Sequence, residues 1–223
     1  MTLDQLRAAT DLANALAWPL VVLAALIYFA KPLRRFLENA SEISFKAAGV
    51  EASARRQIAV AAALGAARAQ RGEVVDEGGL GIAETVSQTL TPARLRRMER
   101  ASLLWVDDQP ANNVFERRAL GQAGIRVVTS PSTEDALNRL AGEPFDLVVT
   151  DMGRPGDERA GYSLLAAIRS AGRALPVIIY SFSGGLPAHR AQAHQAGAFG
   201  STHDPEELLR LVASALGTRA DAV

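Results

Sequence analysis

Short apolar segments alternate with amphipathic stretches from residue 102 to residue 217. A short apolar run between turn residues is typical of a strand buried on both faces, and apolar residues at every third or fourth position are typical of a helix. Because parallel strands are joined by crossovers, usually helices, this alternation predicts an α/β fold with an open, doubly wound, five-stranded parallel sheet. We expect strands at 103–106, 125–129, 145–150, 176–180 and 198–202, and helices at 111–123, 132–141, 164–170, 188–196 and 205–216.

A different pattern occupies residues 12–30, an apolar run in which Asn14 is the only strongly polar residue. A helix of this length spans about 28 Å, close to the hydrocarbon thickness of a bilayer. Trp18 lies toward one end of the run, and basic residues at 31, 34 and 35 follow the other end at once. The positive-inside rule then predicts a single-pass anchor in residues 1–32 of a bacterial-type inner (cytoplasmic) membrane, with the N-terminus outside and the rest of the chain in the cytoplasm.

Two other interpretations of this apolar run are open. A cleaved signal peptide normally has basic residues before the apolar segment and a small-residue cleavage site after it, and the sequence fits neither condition well. A soluble or in-plane helix fits the positions of Pro19 and Pro32, which bracket a stretch too short to cross a bilayer unaided. A membrane span would therefore have to continue through a kink at Pro19, which membrane helices tolerate.

Residues 33–101 predict a helical connector and linker between the anchor and the α/β domain. Within it, Ser44 to Glu51 predicts a turn or short strand, and residues 51–71 are rich in alanine and favour a helix. The small side chains of that helix would allow close packing of two chains as a homodimer; the alternatives are a helix that lies on the following domain or in solvent. Glu73 to Gly81 predicts a flexible linker, and Thr91-Pro92 predicts the start of a short basic helix.

Composition excludes some chemistry. The formal net charge is zero, which gives no global attraction to nucleic acid or to an anionic surface. The chain has no cysteine, so disulfides, thiolate metal sites and cysteine nucleophiles are excluded.

Polar residues stand where three of the expected strands end. Asp107 and Asp108 follow the first strand, Asp151 follows the third, and Ser181 follows the fourth. Ligands of open parallel sheets bind beyond the carboxyl ends of the strands. Three carboxylates at one edge repel each other unless a cation intervenes, and hard oxygen ligands favour Mg²⁺. The pattern predicts a magnesium-assisted phosphoryl site with Asp151 as a carboxylate nucleophile.

The ordered segments LWVDD at 104–108, DLVVTDM at 146–152 and PVIIYS at 176–181 resemble the receiver domain of response regulators in two-component signalling. The resemblance covers residues 102–217, leaves 218–223 as a tail, and implies a flavodoxin-like fold.

Roles follow from the resemblance for six residues. It implies that Asp107, Asp108 and Asp151 bind Mg²⁺ together with the backbone carbonyl of Gly153, and that Asp151 is the phosphoacceptor. It also implies that Ser181 is the switch hydroxyl that moves toward the phosphoryl group. Pro155 matches the proline of the loop after the third strand.

Two positions and one loop depart from the family pattern. The family's lysine falls on Asp204, where an aspartate would repel phosphoryl oxygens, and its aromatic switch position falls on Ser201. The loop 153–161 is longer than usual and carries Arg154 and Arg159, either of which would restore the lost positive charge.

Three hypotheses result for the function. The first is a receiver in a phosphorelay, phosphorylated on Asp151 with Mg²⁺ by a histidine kinase or other phosphodonor. The second is a phosphorylation-independent pseudo-receiver that acts as a membrane-bound protein-interaction module. The third, a magnesium phosphatase, lacks a recognisable general acid, so we expect self-phosphotransfer at most and no enzyme. We also expect no DNA contact, because no DNA-binding domain follows the receiver-like segment.

Overall fold

The computed structural model describes residues 49–73 and 79–218. The membrane span predicted at 12–30 lies outside these residues. Within the described ranges, none of the helices combines the length and the apolar character needed to cross a membrane. The chain divides into two units, 1–51 and 52–223, and the second is compact and contains the whole sheet.

Five parallel strands form a single sheet in the order β2-β1-β3-β4-β5. This arrangement confirms the predicted five-stranded parallel α/β fold. Continuous apolar runs make the central strands, since every residue of β1, β3 and β4 is buried. The strands are β1 Ser102–Val106, β2 Arg126–Ser130, β3 Leu147–Thr150, β4 Val177–Tyr180 and β5 Gly200–Thr202.

Eight helices accompany the sheet in the described part of the chain, together with 3₁₀ turns at Pro110–Asn113 and Phe182–Gly185. Two helix starts follow from local sequence, because Thr91 Oγ1 accepts a hydrogen bond from Arg94 N and Ser132 Oγ accepts one from Asp135 N. The helices are α1 49–70, α2 Leu80–Thr89, α3 Pro92–Met98, α4 Val114–Gln122, α5 Thr133–Gly142, α6 Ala160–Ser170, α7 Pro187–Gln195 and α8 Pro205–Thr218.

Some boundaries differ from the sequence prediction. Residues 49–51 are helical rather than a turn or strand, and Leu80 begins α2 inside the segment predicted as a linker. The glycines around residue 79 suggested a break, and Gly79 does have a left-handed φ of 64° just before α2 begins. Helix α6 starts at Ala160, four residues before the predicted start, and Gly161 in its first turn lies close to the backbone of Asp151.

Apolar cores lie on both faces of the sheet. One face is covered by α5, α6 and α7, and its core includes Leu104, Val148 and Ile179. The other core joins Trp105 and α8 to buried residues from α1, α2 and α3, among them Leu64. The connector helices from residue 52 onward are therefore packed into the receiver-like domain, which is one of the alternatives left open for residues 51–71. They lie against α8, which makes direct contacts with both α2 and α3.

Candidate functional site: an acidic cleft at the carboxyl ends of the strands

Three carboxylates meet beyond the ends of neighbouring strands β1 and β3. Ligand oxygens of Asp107, Asp108 and Asp151 all lie within 4.8 Å of one another. Asp151 N donates to the carbonyl of Val106 at 3.1 Å, which keeps the two strand ends together. The structure thus brings together the acidic residues that the sequence placed at strand ends.

Asp107 is the buried member of this acidic cluster, and neighbouring donors fix its carboxylate. Gln109 N donates to Oδ1 at 2.7 Å, and Asn113 Nδ2 donates to Oδ2 at 2.6 Å. The indole N–H of Trp105 points at Oδ2 from 3.5 Å. Because its negative charge is held by hydrogen bonds, Asp107 is a pre-positioned oxygen ligand for a cation.

The pKa of the Asp151 carboxyl lies well above its usual value. Burial is the largest cause, and together with the negative charges of Asp107 and Asp108 it raises the pKa to about 7 against the opposing effect of Arg154. Arg154 places Nη2 2.7 Å from Asp151 Oδ1, and its side chain is only 5% exposed. The contact lacks the alignment of a hydrogen bond, so Oδ1 has no hydrogen-bond partner among the described residues. Asp151 Oδ1 is therefore available as a ligand for a metal ion.

The loop after β3 positions Arg154 by a tight turn. Arg154 and Asp157 exchange two backbone hydrogen bonds of 2.9 Å across Pro155 and Gly156, and Gly156 has a φ of 83°. Proline then glycine at the two central positions is the preference of a type II turn. The guanidinium also donates to Thr133 Oγ1 at 2.8 Å and to Thr150. Of the two arginines in this loop, Arg154 therefore meets the acidic cluster, whereas Arg159 stacks on Tyr162 with 5.2 Å to the ring centroid.

Ser181 and Gly153 line the same cleft as the three carboxylates. Ser181 follows β4, and its N–H donates to the carbonyl of Thr202 at 3.1 Å. Its Oγ is buried with no hydrogen-bond partner in the described structure. Gly161 lets α6 approach this region, since a Cβ there would lie 2.4 Å from the carbonyl oxygen of Asp151.

The expected repulsion from Asp204 is not seen in the geometry. Asp204 Oδ1 accepts a hydrogen bond from Glu207 N at 2.7 Å, which caps α8, and Oδ2 pairs with Arg68 at 3.0 Å. Asp204 is not among the residues that line the cleft, whereas His203 is. Ser201, at the position of the aromatic switch, is buried and donates to the carbonyl of Gly184 at 3.2 Å.

Two cleft-side residues were missed from the sequence. Arg71, directly after α1, donates from Nη2 to Glu116 Oε1 at 2.7 Å, and it also contacts the Tyr180 hydroxyl and the His203 carbonyl. Glu116 is 1% exposed, and the Tyr180 hydroxyl donates to the same Oε1 at 2.9 Å. Arg71 lines the cleft together with Asp107, Asp151 and Ser181. No local motif marks either residue, because their roles depend on how α1 packs against the sheet.

The donor set fits Mg²⁺. Only oxygen ligands converge, their spacing suits one small cation, and Asp151 Oδ1 lacks an aligned hydrogen-bond donor within the described part of the chain. Asp107, Asp108 and Asp151 would hold the ion. Bound there, Mg²⁺ would neutralise negative charge on a phosphoryl group.

Comparison with known proteins agrees with the fold. The family model described as "Response regulator receiver domain" matches residues 103–215. The response regulator protein PilR of Pseudomonas aeruginosa is 34% identical over 125 residues, which are 55% of this chain and 27% of that protein. The sensor histidine kinase RcsC of Escherichia coli is 38% identical over 76 residues, 34% of this chain and 8% of that protein.

Both relatives are much longer than the matched region. This chain spans about a quarter of the length of PilR and less than a tenth of the length of RcsC. Among solved structures, a response regulator receiver domain protein from Clostridium thermocellum has a TM-score of 0.48 and 23% identity, covering 55% of this chain and 99% of that chain. The family match, which covers half of the sequence, includes every residue of the acidic cluster. The chain belongs to the response regulator receiver domain family, which is consistent with a place in two-component signalling.

Proposed function

We propose that this protein is a membrane-tethered response regulator in which Asp151 accepts a phosphoryl group with the help of Mg²⁺. The observation that carries the proposal is the convergence of the Asp107, Asp108 and Asp151 carboxylates within 4.8 Å at the strand ends. Asp151 supplies the nucleophile, because its Oδ1 has only the imperfectly aligned Arg154 contact in the described structure. Phosphodonors of this class are a histidine kinase or a small acyl phosphate.

The transfer itself exchanges one bond to phosphorus for another. A carboxylate oxygen of Asp151 attacks the phosphorus of the donor, and a new O–P bond forms. The old bond, P–N in a phosphohistidine or P–O in an acyl phosphate, breaks, and the leaving group takes its electron pair. An imidazole leaving group then binds a proton, and a carboxylate leaving group departs as the anion. We expect Arg154 and the Ser181 hydroxyl to contact the transferred oxygens.

A phosphorylation-independent pseudo-receiver is the second candidate. One observation favours it: Arg154 already sits on the Asp151 carboxylate and offsets part of the charge that would otherwise attract a metal. The two candidates differ in whether Asp151 takes up phosphate, and a direct assay separates them.

Phosphate uptake from acetyl phosphate tests the function. We expect the full-length protein with Mg²⁺ to incorporate acid-labile phosphate that hydroxylamine also releases, because an aspartyl phosphate is an acyl phosphate. We expect Asp151→Asn to abolish this uptake because the nucleophilic oxygen is replaced by an amide. Asp157→Asn, a change in the same loop at a residue that does not line the cleft, is the control and should retain uptake. Absence of uptake by the wild type would reject the receiver function in favour of the pseudo-receiver.

The membrane tether rests on the sequence of residues 12–30 alone, since the apolar run and the basic residues after it lie outside the described structure. We expect Leu23→Arg to move the protein from the membrane pellet to the soluble fraction, because an arginine at the centre of a span costs about 2.5–3.5 kcal/mol or more. Leu80→Arg, at a position 72% exposed in α2, should stay in the pellet. If Leu23→Arg also stays, the anchor lies elsewhere or is absent. Self-association through residues 51–71 remains a prediction.

A further inference from the structure

The positively charged side chains near the acidic cleft are arginines rather than lysines. No lysine occurs after Lys46, so in the described part of the chain any positive side chain at the cleft must be an arginine or a protonated histidine. Arg154 already contacts Asp151 from the β3 side. On the opposite side, at the ends of β4 and β5, the cleft is lined by Arg71 and His203.

Arg71 is held at that side by contacts with three separate parts of the fold. Its guanidinium donates to Glu116 in the first turn of α4, to the Tyr180 hydroxyl at the end of β4, and to the His203 carbonyl after β5. It also lies 5.1 Å from the centroid of the Tyr180 ring. These anchors put an arginine from the N-terminal extension next to Ser181, the residue that follows Tyr180.

Polar atoms around Arg71 indicate that the site accepts a ligand. Ser181 Oγ and His203 Nδ1 are buried, and each lacks a hydrogen-bond partner within the described residues. Orphaned polar atoms are uncommon in native proteins and call for an explanation. Both residues line the acidic cleft itself.

Charge balance gives a reason for a second arginine. Phosphorylation replaces the single charge of Asp151 by about two negative charges on the phosphoryl group, beside the carboxylates of Asp107 and Asp108. A magnesium ion and Arg154 together leave this cluster with excess negative charge. A guanidinium binds phosphoryl oxygens well because it donates two parallel hydrogen bonds.

We propose that Arg71, which directly follows α1, binds the phosphoryl group on Asp151 from the β4–β5 side of the cleft. This inference rests on the proposed phosphorylation of Asp151. Glu116 holds the guanidinium in the unphosphorylated protein and competes with the phosphoryl group for it. Phosphorylation then changes the contacts that hold Arg71 at the end of α1.

Binding of beryllofluoride, a mimic of the aspartyl phosphoryl group, tests this assignment in full-length protein with saturating Mg²⁺. Trp105, whose indole faces Asp107, reports binding by fluorescence in a Trp18→Phe background. We expect Arg71→Ala to weaken the affinity about tenfold or more, the worth of one charge-assisted hydrogen bond. We expect Glu116→Gln to strengthen it, because the competitor loses its charge. Arg56→Ala is the matched control on α1. It removes an exposed ion pair with Glu99, which follows α3, and should leave the beryllofluoride affinity unchanged.

The opposite signs of the two variants separate phosphoryl binding from a purely structural role. If Arg71 only braced α1 against the domain, Arg71→Ala and Glu116→Gln would both weaken binding, and that result would overturn the inference. Equal affinity of Arg71→Ala and the wild type would overturn it as well. Failure of the wild type to bind beryllofluoride would instead remove the proposed function, and the inference with it. Arg71→Lys keeps the charge and should recover part of the affinity, which also shows that loss in the alanine variant is not misfolding.

Discussion

Replacing Leu64 by alanine is expected to lower the free energy of unfolding by about 2–5 kcal/mol, as for other buried leucines. Leu64 lies on α1 and is 1% exposed, and its side chain belongs to the same core as Trp105 and the buried face of α8. The truncation leaves a cavity in a core that spans the connector and the receiver domain. Because both parts share that core, the whole domain should lose stability, including the sheet.

Chemical denaturation of the full-length protein, followed by circular dichroism and by Trp105 fluorescence in the Trp18→Phe background, measures this loss. Ile58→Ala is the control on the same helix, since Ile58 is 69% exposed and its truncation should change stability by no more than about 0.5 kcal/mol. If Leu64→Ala left the fluorescence transition of Trp105 unchanged, α1 would not be part of the receiver core. A domain that begins at residue 102 would then fold stably without α1.

The same shared core explains what the sequence could predict and what it could not. The positions of Asp107 and Asp151 follow from apolar runs that end in acids, because the carboxyl ends of parallel strands share one edge. The cap at Asp204 also had a local signal, since an acid before Pro205 and two glutamates is typical of a helix start. The family resemblance assigns Asp204 the position of a lysine and carries no information about this capping role.

Arg71 and Glu116 had no such signal. They are 45 positions apart, and they meet because α1 and α4 both contribute buried residues to one core. A segment rich in alanine favours a helix but does not specify what that helix contacts. Helix α2 was missed for a related reason, because glycines at its start obscured the apolar spacing of Ile82 and Val86, which are both buried.

Asp151→Asn is expected to stabilise the metal-free protein although it removes the proposed phosphoacceptor. The pKa of Asp151 is raised to about 7 from its usual value of 3.8, mainly by burial, so the folded state binds this proton more tightly than the unfolded state. Stability from this group is therefore full below pH 3.8 and is lost as the pH rises through 7. The pKa of Asp151 stays raised in spite of Arg154. Burial and repulsion therefore destabilise the ionised carboxylate more than the attraction of Arg154 stabilises it.

The asparagine variant should consequently be more stable by about 2–4 kcal/mol at pH 8 and by only ~1–2 kcal/mol at pH 5, from the size of the pKa shift. Thermal and urea unfolding in EDTA at the two pH values measure the difference. Asp157→Asn is the matched control, because the pKa of Asp157 is lowered by hydrogen bonds from Ser163 and the backbone of Arg159, so its replacement should bring no gain at pH 8. An Asp151→Asn variant less stable than the wild type at pH 8 would mean that the pairing with Arg154 outweighs burial and repulsion. The acidic cluster would then be a satisfied structural ion pair rather than a site held ready for a cation.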